Sequence, residues 1–180
     1  MAIYKIVHQK STTLYSYYPT LNSGLDEILE LSTFESIDST NEVSRPIIQF
    51  PQSEISDVIA NKVNGASYKS YLKLYLANAS QIPLDYTLYC YPLATSWNMG
   101  TGRFSNSPIT TDGASWQYKD QLSGNAWFTS GNFPSQTTGS YSGSNVGGGL
   151  WYYGYWANSQ TTSYSDSKED RKSTRLNSSH

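Results

Sequence analysis

Any chemistry in this 180-residue chain has to come from a short list of side chains. A nucleophile–base pair needs a base that titrates near neutrality, which in practice means histidine. The chain has two, His8 and His180. His8 ends the alternating run Ile3–His8, where a surface or edge position is expected. Cys90 is the single cysteine, so no internal disulfide can form. It lies beside Leu88 in another alternating run and is expected to be a buried, inert thiol. No His-Glu-x-x-His and no paired Cys-x-x-Cys occurs, so neither a metal nor a cofactor is expected. Gly100-Thr-Gly102 lacks the third glycine of a dinucleotide loop and reads as a turn. Glycoside cleavage needs only two carboxylates, and Asp112, Asp120 and Asp166 fall in the loop-rich half. Loop acids on a β scaffold are more often solvated or calcium-bound than paired for catalysis. The expectation is a protein that is not an enzyme.

The aromatic residues are the other source of function. The chain holds 16 Tyr and 5 Trp. Trp97, Trp116, Trp127, Trp151 and Trp156 stand among Gly, Ser, Thr and Asn. Two readings are open. On strands, such side chains build the core and pack across neighbouring strands. Exposed, the same five tryptophans would be a ligand site, stacking on the faces of glycans. Coplanar exposed rings in a shallow groove would favour glycans, and burial would favour the architectural role. Aromatic richness also suits protein–protein interfaces.

The elements that would position these residues are mostly strands. Charged residues make up only 14% of the chain, and its wealth of aromatic and hydroxyl side chains favours pleated over helical backbone. Strands are predicted at Ile3–His8, within Ser11–Gly24, at Asp26–Ser32, Arg45–Phe50, Tyr68–Asn78 and Leu84–Leu93, with a connection at Ala79–Pro83. Pro46 restricts its strand to a start or an edge. Shorter strands are predicted at Ala114–Tyr118, Thr137–Tyr141 and Leu150–Trp156, with Gly147–Gly149 separating the last two. Tyr68–Asn78 carries the clearest alternation, with Leu72, Leu74 and Leu76 on one face. One helix is predicted over Ser53–Gly65. Ser53 is its N-cap, Glu54 and Asp57 sit in the first turn, Ile55, Val58, Ile59 and Val63 form its apolar stripe, and Gly65 closes it. The predicted fold class is all-β, an antiparallel β-sandwich with one short helix. Its core is expected to contain Ile6, Leu14, Leu29, Leu31, Ile48, Phe50, Leu72, Leu74, Leu76 and Leu88.

The bulk properties exclude some partners. Formal net charge is −2, with no basic stripe of the kind nucleic acid requires. No run of about 18 apolar residues spans a membrane, and the N-terminus does not read as a signal peptide. Production in a cytoplasm is expected.

The order of segments carries a resemblance. Ser11-Thr-Thr-Leu-Tyr-Ser and Pro19-Thr-Leu-Asn-Ser-Gly24 are followed by Glu30-Leu31, Arg45-Pro-Ile-Ile-Gln-Phe50 and Leu72-Lys-Leu-Tyr-Leu76. Then come Leu88-Tyr-Cys-Tyr-Pro92, Trp97-Asn-Met-Gly-Thr-Gly102, Asp112-Gly-Ala-Ser-Trp116 and Ala126-Trp127. Over residues 3 to 130 this resembles the DNRLRE-type β-sandwich domains. Thr12-Thr13-Leu14 stands where that pattern has Asp-Ala-Thr, and Gln49 where it has Lys. The resemblance implies a jelly-roll-like sandwich, in a family of which some members are carbohydrate-binding modules. The opening and the Trp97–Gly102 stretch are also similar to structural proteins of tailed marine phages. What this implies is a virion structural or decoration protein, made in the host cytoplasm, whose partners are other virion proteins and, in the alternative, glycans.

The last eleven residues, Asp170-Arg-Lys-Ser-Thr-Arg-Leu-Asn-Ser-Ser-His180, differ from the rest. They hold three of the 12 Lys and Arg and show no apolar pattern. They resemble a translated short-read sequencing adapter, which points to a metagenomic origin. The expectation is one domain over residues 1–169, truncated at its C-terminus, and a non-native tail over 170–180 that packs against nothing. The closing strands of the family are then missing, so the chain should leave an open, partly apolar edge and aggregate readily. The native gene would continue for on the order of 50 residues past Glu169.

Overall fold

The computed structural model of the chain describes residues 2–37, 41–78, 88, 90–128, 133, 137–140, 146–152, 155–156 and 160–161. Most regular structure in it is strand, in small antiparallel sheets, with one short helix. Strand β1 (Lys10–Tyr15) pairs antiparallel with β3 (Asn41–Gln49), and β2 (Thr33–Glu35) lies on the other side of β3. Two-stranded pairs follow: β4 (Tyr118–Asp120) with β5 (Asn125–Ala126), β6 (Thr137–Ser140) with β7 (Gly147–Tyr152), and β8 (Tyr155–Trp156) with β9 (Gln160–Thr161).

The register of β3 explains how it tolerates Pro46 in mid-strand. Ser16 N donates to Val43 O on the β1 side, and Ser44 N donates to Ser32 O on the β2 side. Backbone N–H groups alternate sides along a strand, so the position of Pro46 faces the β2 side. The paired residues of β2 end at Thr33↔Val43, and no ladder bond is lost where proline has no N–H to give. The proline is on an edge, as its chemistry demands, although the strand lies centrally in its sheet. The outer edge of β1 is closed by a side chain: Thr13 N donates to Ser23 Oγ at 3.1 Å, and Ser23 Oγ donates to Thr13 O at 2.9 Å.

The helix α1 (Gln52–Asp57) runs on through a wider π turn, Val58–Val63, to Asn64 in the left-handed region at φ 47°. It starts one residue before the predicted Ser53, after Pro51 and without a side-chain cap. Asp57 ends the α segment and does not sit in its first turn. None of its residues is buried: Ile55, Val58 and Val63 are half-covered, and Ile59 is exposed.

The core is smaller and more aromatic than the alternation predicts. Leu14, Ile47, Trp97, Ala114, Trp116 and Trp127 form it, with Val43, Leu93, Met99 and Phe128 packed against it. Of the predicted core, Leu14 is fully buried, and Ile6, Leu29, Ile48, Phe50 and Leu88 are half-buried. Leu31 is exposed. In β3 the inward face is the one with Ile47, a one-residue shift from the predicted Ile48. Two adjacent isoleucines leave that phase open, and the pairing Thr12↔Ile47 with β1 sets it. The most periodic stretch, Tyr68–Asn78, forms no strand. In it Leu72, Leu74 and Leu76 are 43 to 48% exposed. Alternation defines two faces, but a strand needs a neighbour, and this segment has none among the described residues.

Ile3–His8 and Asp26–Ser32 are likewise not strands, and the strands that form lie just beyond them, at β1 and β2. Ala114–Ser115 is buried but in no strand, and strand starts only at Tyr118. Gly147–Gly149 does not separate two strands; it opens β7. The predicted connection Ala79–Pro83 lies outside the described residues, as do half of Leu84–Leu93, Tyr141 and the tail Asp170–His180.

Candidate functional site

Asn22 is the centre of a tightly bonded junction of three chain segments. It is fully buried and uses its whole amide. Asn22 Nδ2 donates to Met99 O and to Ala114 O, both at 2.8 Å. Its Oδ1 accepts from Gly102 N at 2.8 Å and from Gly24 N at 3.2 Å. Backbone bonds from Asn22 N to Thr110 O and from Leu25 N to Gly102 O tie the same strands of chain together. The segments meet so closely that a Cβ on Gly102 would lie 2.2 Å from Asn22 O. Asp112 closes the turn by accepting from Thr101 N at 3.0 Å and from Thr101 Oγ1 at 2.6 Å. Asparagine at this centre and glycine around it are therefore requirements of geometry.

The carboxylates are used in this local way. Asp112 holds Thr101, and Asp120 accepts from Ser123 Oγ at 2.8 Å in the β4–β5 turn. Asp166 lies outside the described residues. His8 is exposed and outside any strand. Cys90, expected to be buried, is exposed, although nearby protein desolvates the thiol enough to push its pKa up, the opposite of what a nucleophile requires. Among the described residues no three His, Cys, Asp or Glu side chains form a group able to hold a metal ion. No described helix is long and apolar enough to cross a membrane.

The tryptophans divide. Trp97, Trp116 and Trp127 are in the core at 6, 2 and 3% exposure, so none of the three presents a ring face to a sugar. Trp127 Nε1 donates to Ser115 O at 2.9 Å. Lys10 lies over the Trp97 ring, 4.4 Å from its centroid, and donates to Trp97 O. Trp151 is half-buried. The guanidinium of Arg45 is sandwiched between the Trp116 and Trp151 rings, at 4.8 and 4.9 Å, and donates to Gly148 O at 3.1 Å. Gly148 has no room for a side chain: a Cβ there would lie 2.6 Å from Arg45 Nη1. The position of the Trp156 side chain is outside what the structure describes. Burial lowers the pKa of Arg45, which stays cationic at any ordinary pH.

No family model, curated protein or solved structure matches this chain.

The surface aromatics that sequence reasoning missed lie on the other side of β1 and β3. Tyr15, Tyr17, Tyr18, Phe34 and Phe104 border an open depression of about 200 Å³ together with Glu30, Ser32, Val43 and Ser44. Tyr17, Tyr18, Phe34 and Phe104 remain 41 to 55% exposed. Their rings meet at steep angles: 82° between Tyr17 and Tyr18, 64° between Tyr17 and Phe34, and 76° between Tyr18 and Phe104. Tyr15 is buried at the base, and its hydroxyl donates to Glu30 Oε2 at 3.3 Å. Burial and then the Glu30 charge push the Tyr15 pKa far above the ordinary tyrosine value. The only signal for this site in the sequence was the density of tyrosine around Ser16-Tyr-Tyr-Pro19; Phe34 and Phe104 join it only through the fold.

The Arg45 sandwich gives a stability test. Arg45→Met keeps an apolar stem but removes the cation, its two ring contacts and the bond to Gly148 O. A loss of about 2 kcal/mol is expected, read as a lower urea midpoint followed by tryptophan fluorescence. An unchanged midpoint would show that the stacking contributes nothing.

Proposed function

We propose that this chain is a non-enzymatic structural or decoration protein of a tailed-phage particle, acting by binding other virion proteins, and that its small sheets belong to a jelly-roll-like sandwich. The observation that carries this reading is the assembly around Asn22. The segments that bear the resemblance to DNRLRE-type and phage structural domains are Asn22–Gly24, Trp97–Gly102 and Asp112–Trp116. They are far apart in the chain and meet around the buried side chain of Asn22, whose amide is fully hydrogen-bonded. Their convergence supports reading them as parts of one architecture. Burial of Trp97, Trp116 and Trp127 supports an architectural use of the aromatics.

A carbohydrate-binding role is the second reading, favoured by the exposed rings of Tyr17, Tyr18, Phe34 and Phe104. Their steep mutual angles make a poor platform for a flat sugar face, so this reading ranks below the first. Mass spectrometry of purified particles from the source of the gene should recover peptides of this chain, and a glycan array should show no binding. Absence from the particles together with saturable glycan binding would reverse the order.

A further inference from the structure

We propose that the depression between Tyr15, Tyr18, Phe34, Phe104 and Glu30 is a binding site for a small quaternary ammonium ion, of the kind choline carries. This inference stands apart from the phage reading and does not need it.

The shape sets the size of the ligand. About 200 Å³ is below the roughly 300–1,000 Å³ of pockets that take drug-sized molecules. The site accepts a compact head group and not an extended chain. Its walls are aromatic rings, Tyr17 among them, at 55 to 82° to one another. Such walls surround a rounded group, whereas a pyranose ring needs a flat platform.

The electrostatics set the sign. Aromatic ring faces carry partial negative charge and attract cations. Among the described residues Glu30 is the only charged side chain in the lining, and no Lys, Arg or His joins it. Arg103, next in sequence to Phe104, is held by Glu27 at 3.6 Å. Asp26, a further acid at the rim, accepts from Phe104 N at 3.0 Å and fixes that ring's backbone. A quaternary ammonium ion is weakly hydrated, so it gives up little on entering such a site, while a bare metal ion would lose a tight water shell to gain one carboxylate.

The carboxylate is also held in place. Thr13 Oγ1 accepts from Glu30 N at 3.1 Å, and Ser44 Oγ donates to Glu30 O at 2.8 Å. Ser44 is buried in β3, so the backbone of Glu30 is pinned to the sheet on both its polar groups. The Tyr15 hydroxyl steadies the side chain from below.

The test uses the full chain and two probes of equal shape: choline, and its neutral carbon isostere 3,3-dimethylbutan-1-ol. Binding is followed by NMR of the methyl resonance. Choline should bind saturably with Kd on the order of 1–50 mM, and the isostere about fivefold more weakly or worse. Glu30→Gln, at an exposed position, should weaken choline about fivefold and leave the isostere unchanged. Phe34→Leu supplies a second variant on a different element and should weaken choline more than the isostere. Equal binding of the two probes would reduce the site to an apolar dent and overturn the proposal. So would the absence of saturable choline binding up to about 100 mM, beyond any affinity a built site would show.

Discussion

Asn22→Asp is expected to leave this protein largely unfolded at neutral pH. The substitution changes one NH2 group to oxygen and almost nothing in shape. It turns two donated bonds, to Met99 O and Ala114 O at 2.8 Å, into contacts between a buried carboxylate and two carbonyl oxygens. Each buried polar group left without a partner costs about 1–3 kcal/mol, and a buried charge without a counter-charge about 3–5 kcal/mol. Against a total stability of about 5–15 kcal/mol, the change removes most or all of the margin. Urea unfolding followed by the buried tryptophans should show a midpoint shifted far down, or no folded baseline. Recovery of folded protein at low pH, where the new carboxyl is protonated and can donate again, would confirm the cause. A midpoint equal to that of the natural sequence would mean that Asn22 is not the centre described.

Gly102→Ala is the second large effect, and it rests on space alone. A Cβ at Gly102 would lie 2.2 Å from Asn22 O, 2.8 Å from Asn22 C and 2.9 Å from Asn22 Oδ1. Two of those atoms are backbone, so no rotamer change relieves the clash. Relief requires moving apart the segments that the Asn22 amide holds together. Overpacking of a well-filled site costs about 1–3 kcal/mol, and with backbone on both sides the upper end or more is expected. Gly124→Ala is the control. It has nothing within 4 Å of a new Cβ, but its φ is +68°, so it should cost only the roughly 1–2 kcal/mol of an L residue in the left-handed region. Thermal unfolding of both variants separates the two causes. Equal losses would show that close approach at Gly102 is not what demands glycine there.

Part of the site was legible in advance. Asn22, Gly100, Gly102 and Asp112 were singled out by order and residue type, but as pieces of a resemblance and of turns. Nothing local says that the Asn22 side chain fills the space between Met99 and Ala114, because those contacts join positions some 77 and 92 residues apart. The five tryptophans were named together, yet they divide by burial and by role. Trp97, Trp116 and Trp127 build the core, while Trp151 flanks Arg45. The cation-binding surface was not read at all, because Tyr15, Glu30, Phe34 and Phe104 come from four separate segments.

Local patterns along the chain suffice for the strand-rich class, the helical segment after Pro51, the strands at β1, β3 and β6, and the tight turns where Gly and Asn occur. These follow from backbone preference, from proline and glycine geometry and from local hydrogen bonding, all of which act over a few residues. Which face of an alternating run is covered depends on contacts between distant segments. Ile47 is inside and its neighbour Ile48 only half so, because β1 pairs in one register with β3. Leu72, Leu74 and Leu76 have stronger alternation and stay exposed, because alternation supplies an apolar face but not the neighbouring surface that would cover it. Burial is a property of pairs of segments, and a pattern within one segment contains only half of it.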